Sequence, residues 1–135
     1  MPCVGVVCIR GEEVLLIRRG KPPKMGEWSI PGGRLEWGET AAAGALRELT
    51  EETGVTAELK GLLDVVDLIT GPPSDGSELG HAVLIDYAAR WMSGEPAAGD
   101  DATEARFWPY EDALAKVQWD ETRRIIALAR QRLAE

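Results

Sequence analysis

The sequence predicts an α/β (α+β) domain built around a mixed β-sheet, and three observations lead there. Two apolar, β-branched runs open the chain, at residues 3–9 (CVGVVCI) and 14–17. A stretch of good helix formers at 41–53 lies between Thr40, suited to an N-cap, and Gly54, suited to end a helix. More strand-like runs follow, and the chain closes on a segment of helical periodicity. A length of 135 residues fits one domain, taken as 1–135, with enough chain to bury a core.

The elements follow in order. Gly11-Glu12 reads as a turn joining the first two runs into an early hairpin. Arg18, Arg19 and Lys21 come next, three cations at a strand end that suit phosphate oxygens, arginine by its bidentate fork. Pro22, Pro23 and Gly26 make a loop, and Trp28, read as a core residue, precedes Pro31-Gly32-Gly33. On the helix, Leu46, Leu49 and Thr53 are expected to pack, with Ala42 and Ala45 beside them. Ala57 to Thr70 reads as a strand or strand pair carrying Leu59, Leu62, Leu63, Val65, Val66, Leu68 and Ile69. Residues 71–80 are a turn-rich hairpin tip, and His81–Trp91 is another strand. His81, the single histidine, is read as a satisfied or exposed residue rather than a catalyst. Residues 93–108 are a loop ending in a short strand. Glu111–Val117 is a short helix and Asp120–Leu133 a longer one. Its apolar side carries Ile125, Ile126, Ala129 and Leu133, and Arg123, Arg124, Arg130 and Arg132 read as a solvated face.

Composition narrows the function. A net charge of −8 argues against a protein that grips nucleic acid by its phosphates, though a bound metal would still admit a small phosphorylated substrate. No apolar run approaches a membrane span and the start lacks a basic, signal-like segment, so no membrane partner and a cytoplasmic location are expected. Cys3 and Cys8 are five residues apart on a predicted strand and so point to opposite faces. They read as two small buried thiols in a reducing compartment.

The chemistry concentrates between Gly33 and Val55 (GRLEWGETAAAGALRELTEETGV). Gly32, Gly33 and Gly38 let a loop fold tightly and bring bare backbone close to a ligand. Glu48 and Glu52 are spaced i,i+4 and Glu48 and Glu51 i,i+3, so the three carboxylates adjoin on one helical surface. Crowded carboxylates repel unless something positive lies among them, and hard oxygens suit Mg²⁺ or Mn²⁺, which bind together with substrate phosphates. Arg47, inside the cluster, can pair with Glu39, Glu51 or Glu52.

This stretch closely resembles the signature of the Nudix hydrolases, G-x5-E-x7-R-E-U-x-E-E-x-G-U with U a bulky aliphatic, and matches it at every fixed position. In style the chain is similar to ADP-ribose pyrophosphatase-like and antimutator-type members. The resemblance implies an α/β/α sandwich and a metal-dependent attack of water on a pyrophosphate linkage. It implies Glu48, Glu51 and Glu52 as metal ligands, joined by the carbonyl of Gly32, with one of the glutamates or Asp100 as the base. Glu39 and Arg47, with Gly33, Gly38 and Gly54, would hold the loop and helix in register, and Arg19 and Arg18 would bind substrate phosphates. Asp100 is the leading candidate for a further acid, with Asp101 and Glu104 as rivals. The expected substrate is a nucleoside diphosphate derivative such as ADP-ribose. The alternatives are a nucleoside triphosphate that loses pyrophosphate and, behind both, a non-catalytic nucleotide-binding sensor. Proteins of this family are often homodimers, and that state is carried as an open expectation.

Overall fold

The computed structural model describes residues 1–22, 24–69 and 80–134. Most of the expected tip at 71–80, including Pro72 and Pro73, therefore lies outside the described residues. The elements are β1 (Pro2–Arg10), β2 (Glu13–Arg19), β3 (Trp28–Ser29), β4 (Gly32–Arg34), α1 (Ala41–Thr53), β5 (Thr56–Ile69), β6 (His81–Ser93), β7 (Ala102–Pro109), α2 (Tyr110–Lys116) and α3 (Asp120–Leu133). The described strands form one mixed sheet ordered β3-β2-β1-β6-β5, with β4 joining at β1 and β7 at β2.

β1 lies in the middle of the sheet, parallel to β6 from Pro2 to Ile9. Its continuous apolar run is explained by cover on both faces. Val4, Val6 and Cys8 pack with Ala45 and Leu49 of α1, while Val7 and Ile9 pack with Ile125, Ile126 and Ala129 of α3. The result is the expected α/β/α sandwich. Burying a side chain such as Leu49 contributes roughly 2 kcal/mol to it.

The early hairpin is shorter than expected, and the reason builds the site. β1 and β2 pair only at Ile9–Val14 and Arg10–Glu13 and then part. Residues 31–34 enter the gap: Cys3–Gly5 pair with Gly32–Arg34, and the Val6 N–H donates to the Pro31 carbonyl at 2.9 Å. Only glycine allows this approach, because a Cβ at Gly32 would lie 2.2 Å from the Val4 carbonyl oxygen. β2 takes β7 as its other partner, a longer strand than expected, running back to Ala102.

The strand or strand pair expected at 57–70 is one bulged strand, β5, at the end of the sheet, with Leu62, Val65 and Ile69 exposed. Two further expectations need correction. Leu46 and Ala42 are exposed, because the buried stripe of α1 runs through Ala45, Glu48, Leu49, Glu52 and Thr53 and so is turned toward its carboxylates. The arginines of α3 are not a merely solvated face. Arg123 donates to the carbonyls of Leu114 (2.9 Å) and Val117 (2.5 Å), closing the end of α2, and Arg124 bridges Asp64 and Glu121 at 2.9 and 2.8 Å.

Cys3 and Cys8 are free and buried as expected, and burial pushes the Cys8 thiol up to about 12. His81 is exposed and meets Asp67 at 2.8 Å. No helix among the described residues is long and apolar enough to cross a membrane.

Candidate active site

The site is assembled from α1, the β4 wedge and the loop before β7. α1 starts where the Thr40 hydroxyl accepts from the Ala43 N–H (3.2 Å) and ends on Gly54 at φ 72°, both as the sequence signals. This frame turns Glu48 and Glu52 inward to 8% and 5% exposure and leaves Glu51 exposed. β4 is shaped to receive them. A Cβ at Gly33 would lie 2.6 Å from the Glu48 carboxylate, and the Gly32 N–H donates to Glu52 Oε1 at 2.7 Å. Gly32 thus meets the glutamates through its N–H, toward Glu52. Gly38, at φ 82°, makes the turn that leads into the helix.

Arg47 ties the cluster together. Its Nε and Nη2 donate to both oxygens of Glu39 (2.6 and 3.0 Å), and Nη1 donates to Glu48 (2.9 Å) and Glu51 (3.0 Å). Nη2 also reaches the Arg34 carbonyl at 3.1 Å, locking helix to wedge. Glu39 in turn accepts from the Glu36 N–H, and its hydrogen bonds from Arg47 hold its carboxyl below the usual range. Glu39 and Arg47 thus join the turn at Glu36, the β4 wedge and α1 through direct hydrogen bonds.

Asp100 arrives by a different route. The N–H groups of Ala97 and Gly99 donate to the carbonyls of Thr53 and Glu52 at 3.0 and 2.9 Å, satisfying the last turn of α1. Gly99 is the close-contact point, since a Cβ there would lie 2.4 Å from the Glu51 carbonyl oxygen. Asp100 follows with φ 49°, and oxygens of Glu48, Glu51 and Asp100 all lie within 4.8 Å of one another. The rivals are engaged elsewhere: Asp101 pairs with Lys21 (2.8 Å) and Glu104 with Arg18 (3.0 Å). Three hard carboxylate oxygens converging in this way fit a divalent cation of the Mg²⁺ or Mn²⁺ kind.

Burial raises the Glu48 carboxyl and pushes Glu52 up to about 7, against the pull of the Gly32 N–H and with Glu48 and Asp100 adding to the rise. A bound cation would reverse this, because its charge favours the ionised forms.

The cluster opens into a cavity of about 520 Å³. Arg19 and Lys21 line it near the carboxylates. Arg18 does not, which corrects the pairing of both arginines with phosphate. Arg18 instead donates to the Gly26 carbonyl and to Glu104. Trp28, Ile30, Leu84 and Trp119 contribute apolar wall to the cavity, and Asp86, Glu27 and Glu121 line it as well, Asp86 as the buried one of the three. The sequence reading passed over Asp86. The available signals were a lone acid inside an apolar strand run and, in the neighbouring strand, a glycine, Gly5.

A NUDIX domain family model matches residues 1–129. The chain is 36% identical over 121 residues to an ADP-ribose pyrophosphatase of Methanocaldococcus jannaschii, covering 88% of this chain and 68% of that protein. It is also 36% identical over 114 residues to a putative 8-oxo-dGTP diphosphatase 2 of Mycobacterium tuberculosis, covering 82% and 74%. Its fold superimposes on the crystal structure of a MutT NUDIX hydrolase from Burkholderia pseudomallei with a TM-score of 0.74 and 29% identity, over 94% of this chain and 95% of that one.

Proposed function

The chain belongs to the Nudix hydrolase family, and from that premise we propose that it cleaves the pyrophosphate linkage of a nucleoside diphosphate derivative such as ADP-ribose, using Mg²⁺ or Mn²⁺. Water attacks one phosphorus, the bridging P–O bond breaks, and ADP-ribose yields AMP and ribose 5-phosphate. The observation that carries this reading is the convergence of Glu48, Glu51 and Asp100 at one end of a nucleotide-sized cavity.

In the proposed reaction these three carboxylates would hold the divalent metal, with the Gly32 carbonyl as a further candidate oxygen. The metal, when bound, neutralises diphosphate charge and acidifies water. Arg47 fixes Glu48 and Glu51 so that both enter the reaction already oriented. Glu52 stands beside this group with one oxygen held by the Gly32 N–H, and its other oxygen is available to take the proton of the attacking water. Arg19 and Lys21, at the carboxylate end of the cavity, are the candidate phosphate contacts.

A second reading is favoured by the equal identity to the 8-oxo-dGTP diphosphatase relative: a nucleoside triphosphate cut to a monophosphate and pyrophosphate. A metal-dependent hydrolysis screen separates the two by product, using ADP-ribose and canonical and oxidised nucleoside triphosphates, with Glu52→Gln as control. AMP with ribose 5-phosphate, lost in the variant, supports the first reading, and release of pyrophosphate supports the second. Tight nucleotide binding without turnover would overturn both.

A further inference from the structure

We propose that Asp86 reads the nucleobase, its carboxyl accepting a hydrogen bond from the exocyclic amino group of a purine lying against the apolar wall of the cavity. The inference rests on the nucleotide substrate of the preceding subsection and extends it to the specificity of the same cavity.

Asp86 is 5% exposed and lines the cavity. No described residue donates a hydrogen bond to it, although buried carboxylates ordinarily find donors. Among the described residues the fully occluded polar side-chain atom that lacks a partner is Trp108 Nε1, so the carboxyl oxygens of Asp86 are not sealed in but retain surface. The nearby charges are committed elsewhere. Asp64, its cross-strand neighbour, is paired with Arg124, and Arg124 divides its donors between Asp64 and Glu121. An acid kept buried without a donor costs stability, and such a cost is retained where a ligand supplies the missing partner.

The fold makes room for this carboxyl. A Cβ at Gly5 would fall 2.3 Å from Asp86 Oδ1, so the glycine in mid-strand β1 is the space the carboxyl occupies. Asp86, Gly5 and Gly32 are in register across β6, β1 and β4. Two strand spacings, about 10 Å, separate the row's ends, about the reach of a nucleoside between its base and its phosphate. One end of the row carries the Glu52 contact and the other carries Asp86. Between them and α3 lie Trp28, Ile30, Leu84 and Trp119, apolar and aromatic surface suited to the face of a base.

The test compares substrates that differ only in the amino group. ADP-ribose is set against its hypoxanthine counterpart, and dGTP against dITP, which distinguishes an adenine from a guanine as the base read. Wild type is expected to favour the amino-bearing member of one pair by about 10–100-fold in kcat/KM, the range of one hydrogen bond to a buried charge. Asp86→Leu is expected to bring that ratio toward one, mainly through KM. Asp86→Asn, nearly isosteric and still offering an acceptor oxygen, is expected to keep an intermediate ratio, and it serves if the leucine variant does not fold. The same ratio in wild type and in folded Asp86 variants would overturn the inference, as would a wild type with no preference in either pair. Those outcomes leave pyrophosphate hydrolysis standing. An absence of all hydrolysis would overturn the proposed function and this inference with it.

Discussion

Replacing Asp86 by asparagine is expected to stabilise the protein at neutral and alkaline pH, at the expense of substrate recognition. Burial, with Asp64 adding and Arg124 opposing, pushes this carboxyl from its usual 3.8 up to about 7. An acid whose folded value lies above its unfolded one binds its proton more tightly when folded. The penalty is therefore absent below about pH 3.8, grows as pH rises, and is complete above about pH 7. The rise from 3.8 to about 7 corresponds to about 4 kcal/mol. Asparagine removes that penalty but leaves a buried neutral amide short of partners, a cost of about 1–3 kcal/mol. The net gain is about 2 kcal/mol at pH 8, or roughly 5–10 °C in Tm, and it turns into a loss of about 1–2 kcal/mol at pH 4, where the penalty is nearly absent and the amide cost remains. Urea denaturation of both proteins at pH 4, 6 and 8, with equal slopes, would measure it. A difference between the two that does not vary with pH, or a variant less stable at pH 8, would refute the view of Asp86 as a buried acid without a donor among the described residues.

Other perturbations address the cluster. Arg47→Ala strands Glu39 and Glu48, both largely buried, and should lower stability by roughly 3 kcal/mol; Arg47→Lys keeps a charge but loses the fork to Glu39, so kcat falls further than Tm. Asp100→Asn should weaken Mg²⁺ binding by calorimetry and lower kcat by at least about tenfold, whereas Asp101→Asn, whose partner is Lys21, should affect KM more than kcat. Gly33→Ala drives a methyl group into the Glu48 carboxylate and should cost activity more than stability, read from kcat and Tm side by side. Exposing native protein to a thiol reagent should leave Cys8 unmodified until the protein unfolds, because its thiol is buried and its thiolate disfavoured.

Local chemistry was legible residue by residue. The caps at Thr40 and Gly54, the i,i+4 spacing of Glu48 and Glu52, and the pairing options of Arg47 depend on neighbours within a few residues. Those readings hold in the folded chain. The readings that changed involve partners distant in sequence. Leu46 looked like a core residue until the carboxylate side of α1 proved to be the buried one. Arg18 and Arg19 were both read as phosphate contacts until the fold lined the cavity with Arg19 and paired Arg18 with Glu104.

By itself, then, the sequence determined the mixed α/β class, the helix and its ends, and the acidic and basic residue types of the site, because periodicity and capping are short-range properties, while the sandwich came from the family resemblance. Only the tertiary structure decided which distant groups meet. It brought Asp100 to within 4.8 Å of Glu48 and Glu51, because the backbone of residues 97–99 docks on the last turn of α1, while Asp101 and Glu104 pair with Lys21 and Arg18. It also placed Asp86 over Gly5 at the far end of the cavity, because β1 and β6 run parallel in that register. Such meetings depend on register and loop docking across many residues of intervening chain, and no local pattern encodes them.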